Sequence, residues 1–492
     1  MTATQALTGQ TFANGPNGVS GELLAALRAI VGADGMLTAA SDLAVYECDG
    51  YTIAKNRPDV VVFPTSTQQV VEIVRVCNRF GVPFLPRGAG TSLSGGCLPV
   101  GGGVLICLTR MKRILHINYR DSYAVVEPGV VNLWLTRQTS PHGWHFAPDP
   151  SSQGACTIGG NVATNSGGPH TLKYGVTVNH VLGLEIVLPD ATVARVGGPP
   201  EDLPGYDLTG VLVGSEGTLA IVTKVWVRLT RNPESWRTLL AVFDSVDDAT
   251  ATISAIIGAG IIPAALEMMD QLILQAVEAA FHFGFPLDAG AVLLIEVDGL
   301  EAGLDEEAQR IIALAQAHRA REVRLARDEA ERQLLWKCRK QAFGAVGRLA
   351  PSYCTQDGVV PRTRLPEMLR LIRQIGEKYH IRICNVFHAG DGNLHPILLF
   401  DERDADQVQR VLRASEEILE ACLEMGGSVT GEHGIGVEKL DFMPRMFSNS
   451  DLAMMQRLRD AFNREGRLSP GKMFPTAGAC IEPIRPARRA AL

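Results

Sequence analysis

The segment from Ala147 to Gly168 is the feature that most constrains how this chain can fold. It runs through Pro148-Asp149-Pro150 and then through residues 157–168, all of which except Ile158 and Val162 are glycine, alanine, serine, threonine or asparagine. Such small and amide side chains cannot fill a dense core, but a bare backbone can approach a ligand closely. The 492-residue chain has 50 glycines, and they cluster in segments of this kind. The segment therefore predicts a groove for a long polar cofactor.

Two further glycine-rich loops border strand-like segments. Residues 86–92, Pro-Arg-Gly-Ala-Gly-Thr-Ser, follow one such segment directly, and the glycines let successive backbone N–H groups converge on an anion. Residues 214–218, Gly-Ser-Glu-Gly-Thr, precede another. A glycine-rich turn after a strand is common, so the first loop alone is equally well explained as an ordinary turn. It also lacks the helix and distal acid of a G-x-G-x-x-G nucleotide site.

Hydrophobic periodicity divides the chain into two α+β regions. Asp59–Phe63 and Val82–Leu85 read as strands around a helix, and Val211–Leu229 carries a further strand signal. Longer helical patterns alternating with short strands begin near Asn232, and Asp406–Met425 is the clearest of them. The predicted division is a disordered tail at 1–20, a first domain at 21–232, a second at 233–430, a C-terminal segment at 431–476 that returns to the cofactor site, and a tail at 477–492.

The composition excludes several kinds of function. A formal charge of −7 argues against nucleic acid as a partner. The ten cysteines never form C-x-x-C, which argues against an iron–sulfur cluster and a disulfide framework in this chain. No apolar run is long enough for a transmembrane segment, since Ile253–Ala280 is broken by Pro263, Glu267 and Asp270. With no visible secretory signal, these features predict a cytoplasmic protein.

Two histidines seven residues apart, His388 and His395, are followed downstream by Glu432 and His433 in a Gly-Glu-His-Gly sequence. Two imidazoles and one carboxylate suffice for a catalytic divalent metal, which keeps one coordination position open. We therefore predict His388, His395 and Glu432 as metal ligands and His433 as a general base. Adjacent residues can face one site only across a turn, which the flanking glycines permit. The alternative is a set of satisfied core or surface histidines.

This ligand set suits a 2-hydroxy acid as substrate. The carboxylate and the adjacent hydroxyl of such an acid can chelate one metal ion, which lowers the pKa of the hydroxyl. A nearby imidazole can then accept the proton. Asp391 and Asn393 lie between the two histidines in sequence and are candidates for orienting the imidazoles.

The three glycine-rich loops, in this order, resemble the flavin-binding domain of the vanillyl-alcohol oxidase superfamily over roughly residues 50–232. The second half resembles the FAD-dependent D-2-hydroxyacid dehydrogenases in the segments 388–396, 428–436 and 469–472. The resemblance extends over nearly the whole chain and is strongest to members that act on glycolate or D-lactate. It implies an α+β fold, with a vanillyl-alcohol-oxidase-type FAD-binding domain and an α+β substrate or cap domain that contains an antiparallel sheet.

The resemblance implies FAD as the cofactor. Some relatives attach FAD covalently through a histidine near the first loop, and Thr91 stands there in this chain, so non-covalent FAD is expected. Lys472 lies in a matching Ser-Pro-Gly-Lys motif, where a cation near the isoalloxazine ring would stabilise reduced flavin. The contacts that the resemblance implies are Arg87, Gly88, Ala89, Gly90, Thr91, Ser92, Pro148, Asp149, Thr157, Gly159, Gly160, Asn161, Thr164, Glu216, Gly217, Ile221 and Lys472.

The resemblance also implies the reaction, in which a small D-2-hydroxy acid becomes the 2-oxo acid and a hydride passes to N5 of FAD. It favours zinc or manganese as the divalent metal. Arg339 lies where relatives place a substrate-binding arginine, although a solvated helix charge explains it equally well. Relatives that take a second carboxylate carry a lysine after the equivalent of Tyr353, which this chain lacks. We therefore expect glycolate or D-lactate rather than 2-hydroxyglutarate.

Reduced flavin must pass its electrons onward, and the resemblance implies a quinone or a partner protein as the acceptor. Iron–sulfur and second flavin subunits are the expected partners, and a homodimer and peripheral association with the inner face of the membrane are further expectations. Two other functions stay open: a metal-independent flavoprotein alcohol oxidase, and a non-catalytic flavin subunit of a larger complex. The complete ligand set argues against the second, because a scaffold needs no open metal site.

Overall fold

The structure, a computed structural model, describes residues 19–198 and 205–474, so the predicted tails lie almost wholly outside the described residues. The first part begins with a four-stranded sheet in which three strands run parallel and a short edge strand pairs antiparallel. The parallel strands are almost wholly buried, as expected where both faces of a sheet are covered. In spatial order the strands are Met36–Leu37, Val60–Val62, Val104–Cys107 and Phe84–Arg87.

The predicted β-α-β unit is present in this sheet. The helix Thr67–Phe80 begins at Ser66, whose hydroxyl accepts a hydrogen bond from the N–H of Gln69 at 3.3 Å. It ends at Gly81, which has a left-handed conformation with φ +65°. The chain then enters the strand Phe84–Arg87, and the first glycine-rich loop follows that strand directly.

A five-stranded antiparallel sheet forms the second layer of the first part. The expected strand over Val211–Leu229 is wrong in its first half, because Leu208–Leu212 is a short helix capped by Asp207. The carboxylate of Asp207 accepts a hydrogen bond from the N–H of Gly210 at 2.8 Å. The third glycine-rich loop lies between this helix and the strand that follows. The strands, in spatial order, are Ile114–Asn118, Tyr123–Val126, Ile221–Arg228, Val181–Val187 and Val193–Gly197.

The second half of the chain contains a nine-stranded antiparallel sheet. Its strands are Ser235–Phe243, Ala265–Asp270, Ala291–Gly299, Glu322–Leu325, Ser352–Thr355, Gly358–Val359, Arg382–His388, Asn393–Leu394 and Pro396–Phe400. Its largest buried cluster joins Phe243 of the sheet to Ile253, Leu369 and Ile418 of three helices. The clear amphipathic pattern near residue 406 forms the helix Ala405–Glu424, whose apolar face contributes to this core.

The α-helices lie between and after the strands. They are Gly21–Val31, Ala40–Leu43, Thr67–Phe80, Asn132–Thr139, Ile158–Thr164, Thr171–Tyr174, Leu208–Leu212, Val246–Gly258, Gln271–Phe281, Leu304–Ala317, Glu329–Val346, Leu365–Tyr379, Ala405–Glu424, Met443–Met446 and Asn449–Phe462. No helix in the described part of the chain combines the length and apolar character needed to cross a membrane. The division into domains at 21–232, 233–430 and 431–476 stays a prediction.

Candidate active site

A cavity of about 350 Å³ lies where the three glycine-rich loops meet the second half of the chain. Its wall combines the loops with His388, His395, Glu432 and His433, which come from far along the sequence. The fold therefore brings the predicted cofactor loops and the predicted metal ligands to one place. The predicted cofactor contacts that line the cavity are Arg87, Gly88, Ala89, Gly90, Thr91, Ser92, Thr157, Gly159, Gly160, Asn161, Thr164, Glu216 and Gly217.

The wall of this cavity fits the expected FAD. A Cβ atom on Gly88 would lie 2.5 Å from Oγ1 of Thr157, so only bare backbone can pass at this point. The hydroxyl of Ser92 is buried and has no hydrogen-bond partner among the described residues. A buried hydroxyl normally has a partner, and a phosphate oxygen of the cofactor would provide one. The backbone N–H groups of a glycine-rich loop also suit a phosphate.

Three predicted cofactor contacts do not line the cavity, and their contact with FAD stays a prediction. The carbonyl oxygen of Pro148 accepts a hydrogen bond from the Asn132 amide at 2.9 Å. The Asp149 carboxylate is paired with His170, with 2.9 Å between Oδ2 and Nδ1. The Ile221 side chain is fully buried in the core of the first sheet. Charge pairing therefore directs the Asp149 side chain, and core packing the Ile221 side chain, away from the groove.

Lys472 also lies outside the cavity wall, directly behind it. Its buried ammonium donates a hydrogen bond to the backbone oxygen of Gly96, which lines the cavity. Burial lowers the pKa of Lys472 to about 8, although the charges of Asp49 and Glu216 oppose that shift. Lys472 therefore supports the cavity wall at Gly96, and the expected position of its side chain near the flavin stays a prediction.

A tight hairpin brings His388 and His395 together. The strand Arg382–His388 turns back through Gly392, whose φ of +75° favours glycine, and His388 pairs with Asn393 across the turn. The two imidazole rings are perpendicular, with their centroids 5.0 Å apart. Both side chains are buried. The seven-residue spacing therefore corresponds to one turn with a histidine on each side.

Glu432 completes the predicted ligand set. Its Oε1 lies 3.1 Å from Nε2 of His388 and 3.2 Å from Nε2 of His395. One ligand atom from each residue lies within 4.8 Å of the other two, a spacing that one divalent cation can bridge. The second oxygen accepts a hydrogen bond from the N–H of Gly167 at 3.0 Å. Burial alone would raise the pKa of Glu432, but hydrogen bonds from both imidazoles hold it well below its ordinary value.

Glu267, which belongs to none of the sequence motifs, orients His388. It lies directly opposite His388 in the neighbouring antiparallel strand Ala265–Asp270. Its Oε1 is 2.8 Å from Nδ1 of His388, and Nε2 of the same ring faces Glu432. A carboxylate on the far nitrogen is the usual support of a metal-binding imidazole. Burial would lower the pKa of His388, but the charge and hydrogen bond of Glu267 raise it to about 10.

Arg339 does not line the cavity, and its contact with the substrate carboxylate stays a prediction. Its side chain is fully buried on the helix Glu329–Val346, and its Nε donates a hydrogen bond to Oε2 of Glu267 at 2.7 Å. The next residue, Lys340, lies on the cavity wall, with its Nζ 3.5 Å from Oδ2 of Asp149. The sequence does not distinguish Arg339 from Lys340 in this respect, because it does not show which face of the helix is buried.

Asp357 holds the turn that carries Glu432 and His433. Its Oδ2 accepts hydrogen bonds from the N–H groups of Gly431, Glu432 and His433 at 2.9, 3.1 and 2.8 Å. Because these N–H groups converge on one oxygen, two adjacent side chains both reach the cavity wall. Burial would raise the pKa of Asp357, but the charges of His433 and Lys439 hold it below its ordinary value.

Glu216 connects the third glycine-rich loop to the same turn. Its two carboxylate oxygens accept hydrogen bonds from the N–H groups of Ile435 and Gly436 at 2.7 and 2.8 Å. Gly434 and Gly436 have positive φ angles of +87° and +54°. A Cβ atom on Gly434 would lie 2.6 Å from Oε1 of Glu216. Glycine is therefore required where the turn meets the cofactor loop.

His433 lies on the cavity wall and stacks on His395, with ring centroids 4.9 Å apart and planes inclined by 7°. Burial lowers the pKa of His433 to about 4, although the charge of Asp357 opposes that shift. The imidazole is therefore neutral near pH 7. A neutral imidazole on the wall of a cavity can accept a proton from a bound ligand.

Comparisons with known proteins define the class of this protein. Residues 58–197 match the FAD binding domain family, and residues 232–473 match the C-terminal domain of FAD linked oxidases. The chain is 45% identical to glycolate oxidase subunit GlcD of Escherichia coli K12, over 94% of this chain and 92% of that protein. The chain therefore belongs to the FAD-linked oxidases and binds FAD through the first of these domains.

More distant relatives extend this comparison. The chain is 42% identical to glycolate oxidase subunit GlcD of Bacillus subtilis, over 87% of this chain and 92% of that protein. It is 32% identical to the mitochondrial D-lactate dehydrogenase [cytochrome] of Arabidopsis thaliana, over 86% of this chain and 74% of that protein. These relatives confirm the family that the sequence motifs indicated.

Solved structures confirm the predicted fold. Substrate-bound p-cresol methylhydroxylase has a TM-score of 0.78 and 17% identity, covering 92% of this chain and 96% of its own. The 4-ethylphenol oxidase of Gulosibacter chungangensis has a TM-score of 0.75 and 20% identity, covering 94% and 99%. At these identities the likeness concerns the fold alone. It confirms the α+β class with a vanillyl-alcohol-oxidase-type FAD-binding domain.

Proposed function

We propose that this protein oxidises a small D-2-hydroxy acid, glycolate or D-lactate, to the 2-oxo acid. The observation that carries the proposal is that His388, His395, Glu432 and His433 share one cavity with the cofactor loops. Similarity to glycolate oxidase subunits and to D-lactate dehydrogenases supports the same substrate class. The cavity residues, and not the fold, carry this argument, because one fold serves many reactions.

His388, His395 and Glu432 would hold a divalent cation, zinc or manganese, because two imidazoles and a carboxylate suit these ions. FAD would be held without a covalent bond by the loop residues that line the cavity. When bound, FAD accepts the hydride from the substrate carbon, and the cation lowers the pKa of the substrate hydroxyl. The protein provides the orientation and the proton acceptor.

The protein's own residues account for binding and proton transfer in this proposal. Lys340 offers a cation to the substrate carboxylate at the cavity wall. Phe343 and Tyr353 line the same cavity and limit the size of the substrate. His433, neutral and fixed by stacking on His395, accepts the hydroxyl proton as the hydride leaves. The reaction thus removes two electrons and two protons from the acid.

The relatives named as subunits of glycolate oxidase support a further part of the proposal. The electrons would pass from reduced FAD to a quinone or to partner subunits that carry an iron–sulfur cluster or a second flavin. The complex, with this chain as a homodimer, would lie in the cytoplasm at the inner face of the membrane. Turnover of the isolated chain with an artificial dye would show whether those partners are needed for the chemistry, and would exclude a non-catalytic flavin subunit.

Anaerobic bleaching of the flavin tests the reaction directly. We expect glycolate and D-lactate to bleach the absorbance of the FAD-loaded protein, and L-lactate and D-2-hydroxyglutarate to leave it oxidised. Bleaching by L-lactate alone would contradict the stereochemistry. Bleaching by simple alcohols without any acid would favour the alternative, a flavoprotein alcohol oxidase.

Metal dependence needs a separate test. We expect prolonged dialysis against a chelator to abolish bleaching by glycolate and D-lactate, and added manganese or zinc to restore it. FAD content, read from the absorbance, should stay constant throughout, because none of the three predicted metal ligands belongs to the loops that would hold FAD. Unchanged bleaching by a protein shown to contain no metal would establish the metal-independent alternative.

A further inference from the structure

Asp357 is a buried carboxylate with contacts to two parts of the candidate active site. It follows the strand Ser352–Thr355 and is fully buried. Its Oδ2 accepts four hydrogen bonds: three from the N–H groups of the turn and one from the Thr430 hydroxyl at 2.6 Å. This oxygen therefore fixes the backbone from which the Glu432 and His433 side chains extend.

The other oxygen of Asp357 faces His395. Its Oδ1 lies 3.7 Å from Nδ1 of His395, while Nε2 of that ring faces Glu432 at 3.2 Å. Oδ1 of Asp357, Nδ1 of His395 and Nδ1 of His433 are all buried, and none has a hydrogen-bond partner among the described residues. At 3.7 Å, Oδ1 of Asp357 and Nδ1 of His395 are neighbours without a hydrogen bond in this structure, and buried polar atoms without partners are rare enough to need an explanation.

The same three residues could instead be read as a second metal site, since their ligand atoms lie within 4.8 Å of one another. The surroundings oppose that reading. The ammonium of Lys439 is fully buried and lies 3.7 Å from Oδ2 of Asp357, so a positive charge already balances this carboxylate. Oδ2 is also fully occupied as an acceptor. A second cation would be repelled by Lys439 at close range.

We propose that Asp357 is a positioning residue that assembles the metal site from two sides. Through Oδ1 it holds the N–H of Nδ1 on His395, so that Nε2 presents its lone pair towards Glu432. Through Oδ2 it fixes the turn that presents the Glu432 carboxylate. Glu267 does the same for His388, so each imidazole has its own carboxylate support. The inference rests on the proposed function, because it assumes that His388, His395 and Glu432 bind a cation.

Metal affinity tests this proposal without recourse to activity. The full-length FAD-loaded protein, stripped of metal, is titrated with manganese or zinc by calorimetry and the bound metal is counted. For Asp357→Asn we expect affinity to fall about 10- to 100-fold, the usual cost of losing a carboxylate behind a metal-binding imidazole. FAD content should be unchanged. Wild-type affinity in Asp357→Asn would overturn the proposal.

Glu438→Gln is the matched control. Glu438 is a buried carboxylate that, like Asp357, neighbours Lys439, but its Oε1 accepts from the Gln356 amide at 3.0 Å and lies away from the ligands. We expect this variant to bind metal as the wild type does. An equal loss of metal affinity in Glu438→Gln and Asp357→Asn would show a nonspecific effect of changing a buried carboxylate, and it would overturn the proposal.

Two further outcomes are decisive. Two metal equivalents in the wild type, with one lost in Asp357→Asn, would establish the second metal site instead. No metal in the wild type would overturn the proposed metal dependence itself, and the positioning role with it. If Asp357→Asn does not fold, Thr430→Val removes one donor to Oδ2 and should weaken metal binding by about fivefold, the cost of one hydrogen bond. Unchanged affinity in that variant would overturn the proposal.

Discussion

Arg339 and Glu267 form a fully buried ion pair, with 2.6 Å between Nη2 of the arginine and Oε2 of the glutamate. The same glutamate bonds to Nδ1 of His388. The guanidinium therefore holds Glu267, which in turn holds the predicted metal ligand His388. It is not part of the cavity wall. This relationship separates two roles that the sequence could not distinguish, substrate binding and structural support.

Arg339→Met should destabilise the protein. It would leave the carboxylate of Glu267 buried beside His388 with only one partner, and loss of one member of a buried pair costs about 3–5 kcal/mol. Urea unfolding monitored by circular dichroism measures the change. The control is Lys337→Met, an exposed charge on the same helix, for which we expect a change within about 0.5 kcal/mol. A stable Arg339→Met protein with a raised KM for the acid would restore the substrate-binding role.

Lys340→Met should weaken substrate binding and leave the fold intact. The ammonium is on the cavity wall and partly exposed, and a hydrogen bond to a charged group contributes about 1.5–3 kcal/mol. We therefore expect KM for glycolate or D-lactate to rise about 10- to 100-fold, with a smaller change in kcat. Steady-state kinetics with an artificial acceptor measure both constants. The Lys337→Met variant again serves as the control. An unchanged KM in Lys340→Met would show that another basic side chain binds the substrate carboxylate.

Gly434→Ala should weaken the contact between the turn that carries Glu432 and His433 and the third glycine-rich loop, which contains Glu216. Its φ is +87°, and the new Cβ would lie 2.6 Å from the Glu216 carboxylate. Gly426→Ala is a matched control, since its φ is +81° and no atom lies within 4 Å of the added carbon. Alanine at a positive φ should lower the free energy of unfolding by a similar amount in both variants, about 1–3 kcal/mol. A larger loss of stability in Gly434→Ala would therefore come from the clash with Glu216. Thermal unfolding measures the loss of stability, and the FAD content of the purified variants measures cofactor retention. Equal losses in the two variants would show that the contact with Glu216 does not contribute.

Glu438→Gln should change the pH dependence of stability. Burial raises the pKa of Glu438 to about 7, and the charge of Lys439 offsets that shift only in part. A raised carboxyl pKa favours the protonated folded state, so this contribution to stability is present below about pH 4.5 and is lost as pH rises through 7. Glutamine mimics the protonated form. We expect the variant to gain stability over the wild type between pH 5 and pH 8, by about 3 kcal/mol.

Urea unfolding at those two pH values tests this prediction. A constant difference between Glu438→Gln and the wild type would show that Glu438 titrates normally in the folded protein. The comparison requires the same metal and FAD content in both proteins, because a bound ligand adds its own stability.

Much of the candidate site could be predicted from short motifs. His388 and His395 stand on either side of one hairpin, and Glu432 and His433 on one turn, so local sequence nearly fixes each pair. The cofactor loops were recognisable for the same reason, because bare glycine backbone at Gly88 and Gly160 is a local property. Ile221 was misassigned because a strand residue next to such a loop points into the core.

The supports of the ligands were not predictable in this way. Asp391 and Asn393 were expected to orient the imidazoles because they lie between them in sequence. In the structure, Glu267 contacts the His388 ring from 121 residues away, and Asp357 binds the backbone N–H of His433 from 76 residues away. Their contacts depend on strand register and on a loop that packs against the turn. Neither is visible in the local pattern.

By itself, the sequence determined the cofactor class, the donor types and the local turns, because these follow from side-chain chemistry and backbone freedom over a few residues. Only the tertiary structure decided which basic side chain lines the cavity and which carboxylates lie next to the histidines. Those outcomes depend on the face that a helix buries and on the register in which distant strands pair. Both are set by the packing of the whole chain, so the exchange of Arg339 for Lys340 at the cavity wall could be seen only there.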